Sequence, residues 1–431
     1  MIPPTPVWLV NARLIDPGTG YDGPGALRLF GNRIDEVIKG ASPEFGTPPD
    51  QIVNCRGLPL APGIVDMRVF VGEPGAQHRE DFASVGESAA AGGVTTIVTQ
   101  PDTDPPMDDP ALITFARDRA RQACKVNVAV MGALTRGLKG TEMTEQRFLM
   151  DAGAVALTDG DNAVADARIM RAILTYARGT GALVVHHVQE PALSRGACAT
   201  SGELASRRGL PSVPAIAEWM MLERDLALIE STGARLHADL ITTQGALAPL
   251  ARAREAGLPV TAGTSIHHLT LNEFDISAWR TFFKLVPPLR AETDREAIVD
   301  AVAEGLIDVI CSGHLPQDED TKRLPFEEAG PGAVGVETFL PACLRLVHDG
   351  PLDLVTLFDR ASRRPAEILG LGAGRLTEGA PADLVWFDPD APFVLDRDNL
   401  RSRSKNTPFD RATMQGRVLG TWVGGERVFG D

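Results

Sequence analysis

Residues 62–75 read PGIVDMRVFVGEPG. Between Pro/Gly turns lies an apolar, β-branched run broken only by Asp66 and Arg68, which predicts a buried strand over 64–70. Residues two apart on a strand share a face, so Arg68 and Phe70 look the same way. Similar runs recur at 95–98 (TTIV), 126–130 (VNVAV), 154–157 (AVAL), 183–187 (LVVHH), 235–240 (RLHADL), 259–261 (PVT) and 309–311 (VIC), with helical stretches between them. Eight β–α repeats over about 300 residues fit an α/β fold of the (β/α)8 TIM barrel type, whose chemistry lies at the C-terminal ends of the strands. A doubly wound open sheet is the second reading, but no GxGxxG follows a strand.

The two ends of the chain differ from this middle. Residues 7–15 (VWLVNARLI), 26–30 (ALRLF) and 51–53 (QIV) are short β-like runs, and so are 382–387 (ADLVWF), 417–419 (RVL) and 421–423 (TWV). Gly424-Gly425 predicts a hairpin turn before 427–429. These runs predict a small β-sandwich domain formed by both termini, residues 1–62 and 372–431, around a barrel at 63–371.

A chain of 431 residues with 44% apolar content can bury a large core. Its net charge of -15, with no long basic run, argues against nucleic acid or an anionic membrane as partner and leaves small molecules and proteins. The five cysteines are widely spaced, without a CxxC pair, and predict buried reduced thiols. The N-terminal segment MIPPTPVWLVNARLID lacks the pattern of a secretory signal, and no apolar run reaches the ~20 residues that span a bilayer, so a cytoplasmic location is expected.

Across nearly the whole chain the order of motifs resembles the dihydroorotases of the amidohydrolase superfamily, in the class that includes hydantoinases and allantoinases. PGIVDMRVFVGEPG resembles that family's PGxxDxHxHxREPG, and Glu80-Asp81-Phe82 with AAAGGVTT at 89–96 resembles EDF…AAAxGGVTT. Gln100-Pro101-Asp102-Thr103 stands where the family has MPNT. Ser201-Gly202-Glu203, Ala217-Glu218 and Arg224-Asp225 follow in order, then His267-His268-Leu269, KLVPPLR at 284–290 and KNTPF at 405–409. The resemblance implies an amidohydrolase-type barrel.

In that family two divalent ions activate water and polarise the amide carbonyl, and a carboxylate moves the proton. The implied ligands are an HxH pair, a bridging carboxylate, two further histidines and an aspartate. The HxH positions are here Arg68 and Phe70. Two unit charges 4 Å apart repel by about 4 kcal/mol at an effective dielectric of 20, so a guanidinium opposes a divalent ion. A later histidine position is Leu240, with His237 three residues earlier, and the aspartate of DHAPH is Gly313. Only Asp159 and His187 remain as vestigial metal candidates, too few for a zinc site. Substrate-contacting positions are also replaced, by Gly72, Asp102, Val286 and Gln317.

On this reading the chain carries no metal or other cofactor and is not an enzyme. The resemblance then points to the inactive dihydroorotase-like chains of some bacteria, structural subunits that support the assembly and activity of aspartate transcarbamoylase in a mixed dodecamer. The expected partner is therefore the aspartate transcarbamoylase catalytic chain, with a homodimer also allowed. The alternatives are a cyclic-amide hydrolase with a remodelled mononuclear or metal-free site, and a sensor of pyrimidine intermediates. No GxSxG elbow or Walker lysine offers another chemistry, and the sequence singles out no Ser-His-Asp triad.

Overall fold

The computed structural model describes residues 5–41, 43 and 51–430, without the side chains of 277 and 278. Parts of the expected terminal domain, at 1–4, 42, 44–50 and 431, lie outside the described residues.

Strands β1 (Val7–Asp16), β2 (Tyr21–Phe30), β3 (Arg33–Lys39), β4 (Gln51–Asn54) and β5 (Pro59–Pro62) come from the N-terminal part of the chain. The barrel strands follow: β6 (Ile64–Val69), β7 (Val94–Thr99), β8 (Asn127–Ala133), β9 (Ala154–Thr158) and β10 (Leu183–His187). After a two-stranded pair, β11 (Ala199–Thr200) and β12 (Ser212–Val213), come β13 (Arg235–Asp239), β14 (Val260–Ser265) and β15 (Val309–Cys311). The C-terminal strands are β16 (Leu384–Val394), β17 (Thr413–Val423) and β18 (Glu426–Phe429).

The barrel sheet runs in the order β15-β14-β13-β10-β9-β8-β7-β6, with its described pairs parallel. It closes through the ends of β6 and β15. Phe70 N–H donates to the His314 carbonyl at 2.9 Å, and Ser312 N–H donates to Asp66 Oδ1 at 3.0 Å. This nearly closed eight-stranded barrel agrees with the fold expected from the repeats. Strands covered on both faces need apolar, β-branched residues throughout, which is why they stand out as continuous runs. Met67, Val98, Met131, Ala156, Val185 and Val309 meet inside the barrel, each from a different strand, while the outward residues pack against helices such as Ala167–Thr180 and Ile216–Thr232.

The terminal strands form one mixed sheet in the order β18-β17-β16-β5-β1-β2-β3, with β4 paired to β1. Leu9, Leu27, Leu60, Leu384 and Trp422 share its core. Both termini therefore contribute to one sheet. The runs at 417–419 and 421–423 are a single strand, β17, whose register shifts against β16 near Trp386 and Phe387. No helix among the described residues is long and apolar enough to cross a membrane.

Candidate functional site at the mouth of the barrel

The C-terminal ends of the barrel strands converge on a cavity of about 30 Å³, room for a water molecule or two. Arg68 leaves β6 into this space and is 8% exposed. Its guanidinium is held on two sides, Nη1 by the Asp239 carboxylate at the end of β13 and Nη2 by Asp161 in the loop after β9. Phe70 lies under the Arg79 guanidinium, 4.2 Å from its ring centroid, and does not accept a ligand.

The two vestigial candidates are differently engaged. Asp159 spends both carboxylate oxygens on Thr135, accepting from its backbone N–H at 2.9 Å and from its hydroxyl. Burial pushes the Asp159 carboxyl up to about 6. His187 is buried with Nδ1 unpartnered, and it borders a neighbouring cavity with Lys139, Asp161 and Gln189. Burial, then the nearby Arg68 charge, hold its imidazole well below the ordinary histidine range. Leu240, at φ 53 just beyond β13, faces the barrel-mouth cavity, as do Val286 and Gly313. His237 sits deeper in the barrel, with Nδ1 2.8 Å from Thr261 Oγ1, and burial lowers its pKa to about 4.

The positions where the resemblance implies substrate contacts each sit in a defined local setting. A Cβ on Gly72 would lie 2.2 Å from the Ala76 carbonyl oxygen, so the loop has no room for any side chain there. Gln317 turns aside: its N–H donates to Asn406 Oδ1 at 3.1 Å and its amide donates to the Pro331 carbonyl. Asp102 remains at the cavity, with Oδ1 enclosed and lacking a hydrogen-bond partner. Burial, then repulsion from Asp161, push its carboxyl up to about 6 against the pull of Arg68 and Arg79.

Several matched motif residues instead support the scaffold. Buried Glu218 accepts from the backbone N–H groups of Thr242 at 2.9 Å and Thr243 at 2.8 Å, while Arg290 donates to Thr242 Oγ1 at 3.0 Å. Asp225 lies 2.6 Å from His186 Nδ1 and also pairs with Arg224.

Three residues lining the cavity, Asp161, Ser265 and His268, and Asp239 behind the Arg68 ion pair were not singled out by their own chemistry in the sequence. Asp161 and Asp239 take both sides of Arg68. Ser265 ends β14, and its Oγ is 2.8 Å from His268 Nδ1, while His268 Nε2 is 3.0 Å from the Pro287 carbonyl. A carbonyl only accepts, so Nε2 carries the proton and Nδ1 is the bare nitrogen facing the serine hydroxyl. The available signal was a Ser followed three residues later by His at a strand-to-helix junction, the spacing of a capping box.

A binuclear metal centre needs histidines and carboxylates free to converge. Among the described residues no group of three or more His, Cys, Asp and Glu side chains is placed to hold a metal ion. The carboxylates of Asp161 and Asp239 are engaged by a permanent cation instead. The residues present do not fit the metal pair.

Residues 57–246 match the family model described as dihydro-orotase-like, and residues 337–429 match one described as amidohydrolase family. A protein named dihydroorotase from Geotalea daltonii is 36% identical over 98% of this chain and 99% of its own length. A dihydroorotase-like protein from Pseudomonas aeruginosa is 39% identical over 96% of this chain and 97% of its own. An L-hydantoinase (dihydropyrimidinase) structure from Arthrobacter aurescens superposes with a TM-score of 0.89 at 25% identity, covering 99% of this chain and 96% of that one. These comparisons overturn the expectation that the chain is not an enzyme: relatives named dihydroorotase are 36% identical to it over nearly its whole length. That expectation equated catalysis with the metal positions.

Proposed function

Because the chain belongs to the dihydroorotase-like amidohydrolase family, we propose that it hydrolyses a cyclic amide of the dihydropyrimidine type at a metal-free site. The observation that carries this reading is the Arg68 guanidinium, held by Asp161 and Asp239 at the C-terminal end of the barrel. A fixed cation beside a water-poor cavity stabilises the negative charge that develops on an amide oxygen under attack, because little solvent is present to screen it. Asp102 supplies the proton traffic. Its carboxyl, pushed up to about 6, takes and releases a proton near neutral pH, and its unpartnered Oδ1 is available for that exchange. The mononuclear alternative lacks support, since both Asp159 oxygens are committed to Thr135. The cavity of about 30 Å³ admits a six-membered ring only when its rim, including Leu285 and Val286, moves outward.

The test is ring opening of dihydroorotate and dihydrouracil by protein stripped with a chelator and assayed in its presence. Turnover that survives chelation and falls ~100-fold or more in Arg68→Met supports the reading. Turnover that requires added zinc, or that ignores the substitution, refutes it, as does failure to open either ring.

The second part of the proposal is a partner, the aspartate transcarbamoylase catalytic chain, with which this chain forms a mixed assembly in pyrimidine synthesis. Its support is the close scaffold match combined with the replaced positions Arg68, Phe70, Leu240 and Gly313, the combination that resembles the transcarbamoylase-associated group. Co-expression of the two chains followed by light scattering on the eluted peaks tests it. A joint peak is expected, and separate peaks sink it.

A further inference from the structure

We propose that Ser265 is the nucleophile of this site, activated by His268, and that ring opening proceeds through an ester on Ser265. This rests on the cyclic-amide reading above, replaces attack by free water with attack by the chain itself, and moves the proton transfers from Asp102 to His268.

Ser265 stands where a serine ordinarily has another task. It occupies the N-cap position of the short helix Ile266–Thr270, and a serine there normally accepts a hydrogen bond from the first turn. This one makes no such bond. Its hydroxyl turns to His268 Nδ1 at 2.8 Å, and the Pro287 carbonyl, 3.0 Å from Nε2, fixes the tautomer that leaves Nδ1 bare. A nucleophile within hydrogen-bond reach of a base, with that base oriented by a third group, is the arrangement that activates a hydroxyl. Burial lowers the His268 pKa to about 4, which leaves Nδ1 unprotonated at neutral pH but disfavours the imidazolium, so the proton it takes has to pass on to the departing nitrogen rather than rest on the ring.

Placement agrees with this. Ser265 is the last residue of β14, at the barrel end where (β/α)8 enzymes carry their chemistry, and both Ser265 and His268 border the cavity that Arg68 enters. Gly313 opens the approach. A Cβ there would come within 3.1 Å of Ser265 Cβ and 3.5 Å of its Oγ, so a side chain at 313 would cover the hydroxyl. The replacement that removes a carboxylate from position 313 therefore uncovers the serine.

The steps balance. Ser265 Oγ bonds to the ring carbonyl carbon as its proton passes to His268 Nδ1, and the charge on the carbonyl oxygen faces the Arg68 side of the cavity. The carbon–nitrogen bond of the ring breaks, and the His268 proton goes to the departing nitrogen, leaving the opened chain esterified to Ser265. Water then adds to the ester carbon, gives a proton to His268, and releases the carboxylic acid as the proton returns to Ser265 Oγ. One water is consumed per ring, with no oxidant or reductant.

The test uses methanesulfonyl fluoride, a small serine-directed reagent, on the full chain, with intact mass and peptide mapping as the readout. A single adduct on Ser265 is expected. It should be absent in Ser265→Ala and form ~100-fold more slowly or worse in His268→Phe, the span typical of a lost general base. Circular dichroism verifies that both variants fold. If Ser265→Ala does not, Ser265→Cys and its alkylation by iodoacetamide take its place, with preferential reaction of that thiol expected over the five native cysteines. An unmodified Ser265, or labelling spread over other serines, overturns the proposal. Ring opening that persists in Ser265→Ala overturns the nucleophile and leaves the cyclic-amide reading standing. A labelled Ser265 with no ring opened overturns the cyclic-amide reading and leaves an activated serine.

Discussion

Replacing Arg68 with methionine tests whether its guanidinium holds the barrel mouth together. The side chain is 10% exposed, its Asp239 partner 7% and its Asp161 partner 30%. Breaking a buried pair by removing one member costs roughly 3–5 kcal/mol, because the charge left behind lacks both water and its counter-ion. Asp161 can turn partly to solvent and Asp239 cannot, so the lower end applies, about 3 kcal/mol at pH 7. In the variant the Asp239 carboxylate, buried and without its counter-ion, is favoured in its protonated form. Folding then takes up protons, and the loss should shrink as the pH falls from 7 towards 5. A second substitution, Asp239→Asn, removes the stranded charge and should recover about half of the deficit. Urea unfolding followed by tryptophan fluorescence, at pH 7 and pH 5 for wild type, R68M and R68M/D239N, gives the comparison. A loss below ~1 kcal/mol that is equal at both pH values, with no recovery in the double variant, would refute the reasoning, since that is the worth of an exposed pair.

Other outcomes follow from the same geometry. Gly72→Arg should cost ~1–3 kcal/mol through the clash with the Ala76 carbonyl 2.2 Å away, without improving dihydroorotate binding, as read by thermal melting and calorimetry. Dialysis against zinc, then buffer, should leave less than one equivalent of metal per chain by elemental mass spectrometry; a stable pair of ions would contradict the assignment of Asp161 and Asp239 to Arg68. Asp66 provides a pH test, because burial raises its carboxyl from 3.8 to about 6, so its contribution to stability is present below the unfolded value and lost as pH rises through the folded one. Asp66→Asn should therefore flatten the dependence of the urea midpoint on pH between 4 and 6, and an unchanged slope would show that the group is not charged at that cost.

The barrel was legible because its strands are covered on both faces and leave continuous apolar runs, and because the gaps between them are long enough for crossover helices. The terminal sheet was legible in outline, but β3 and β5 were not. The first mixes charge with apolar residues at an edge, and the second is a proline-bounded stretch of four residues. At the site, the resemblance assigned the replaced metal positions Arg68, Phe70, Leu240 and Gly313 through their places in the matched motifs. It did not find Asp239, because attention at β13 fell on the aligned Leu240. Asp239 is the residue whose carboxylate binds the Arg68 guanidinium, while Leu240 follows it at φ 53 and faces the cavity. The bond between Ser265 and His268 was hidden for a different reason: a serine at a strand-to-helix junction reads as a cap, and only coordinates show its hydroxyl bonded elsewhere.

The electrostatics of the mouth explain why these changes belong together. The fold brings Asp102 and Asp161 to the edge of one small cavity at the strand ends, and sets Asp239 against the Arg68 side chain that enters it. Three carboxylates in so little water repel one another, and a barrel of this kind needs positive charge there whether or not metal supplies it. Arg68 provides it from the first barrel strand with a planar fork that meets a carboxylate on each side, a geometry a lysine cannot reproduce. Once that cation is part of the chain, a carboxylate at position 313 would add another negative charge to the cluster and crowd Ser265. Gly313 avoids both. The positive charge at β6, the absent side chain after β15 and the uncovered hydroxyl at the end of β14 thus form one rearrangement, in which the protein carries its own cation and presents its own nucleophile.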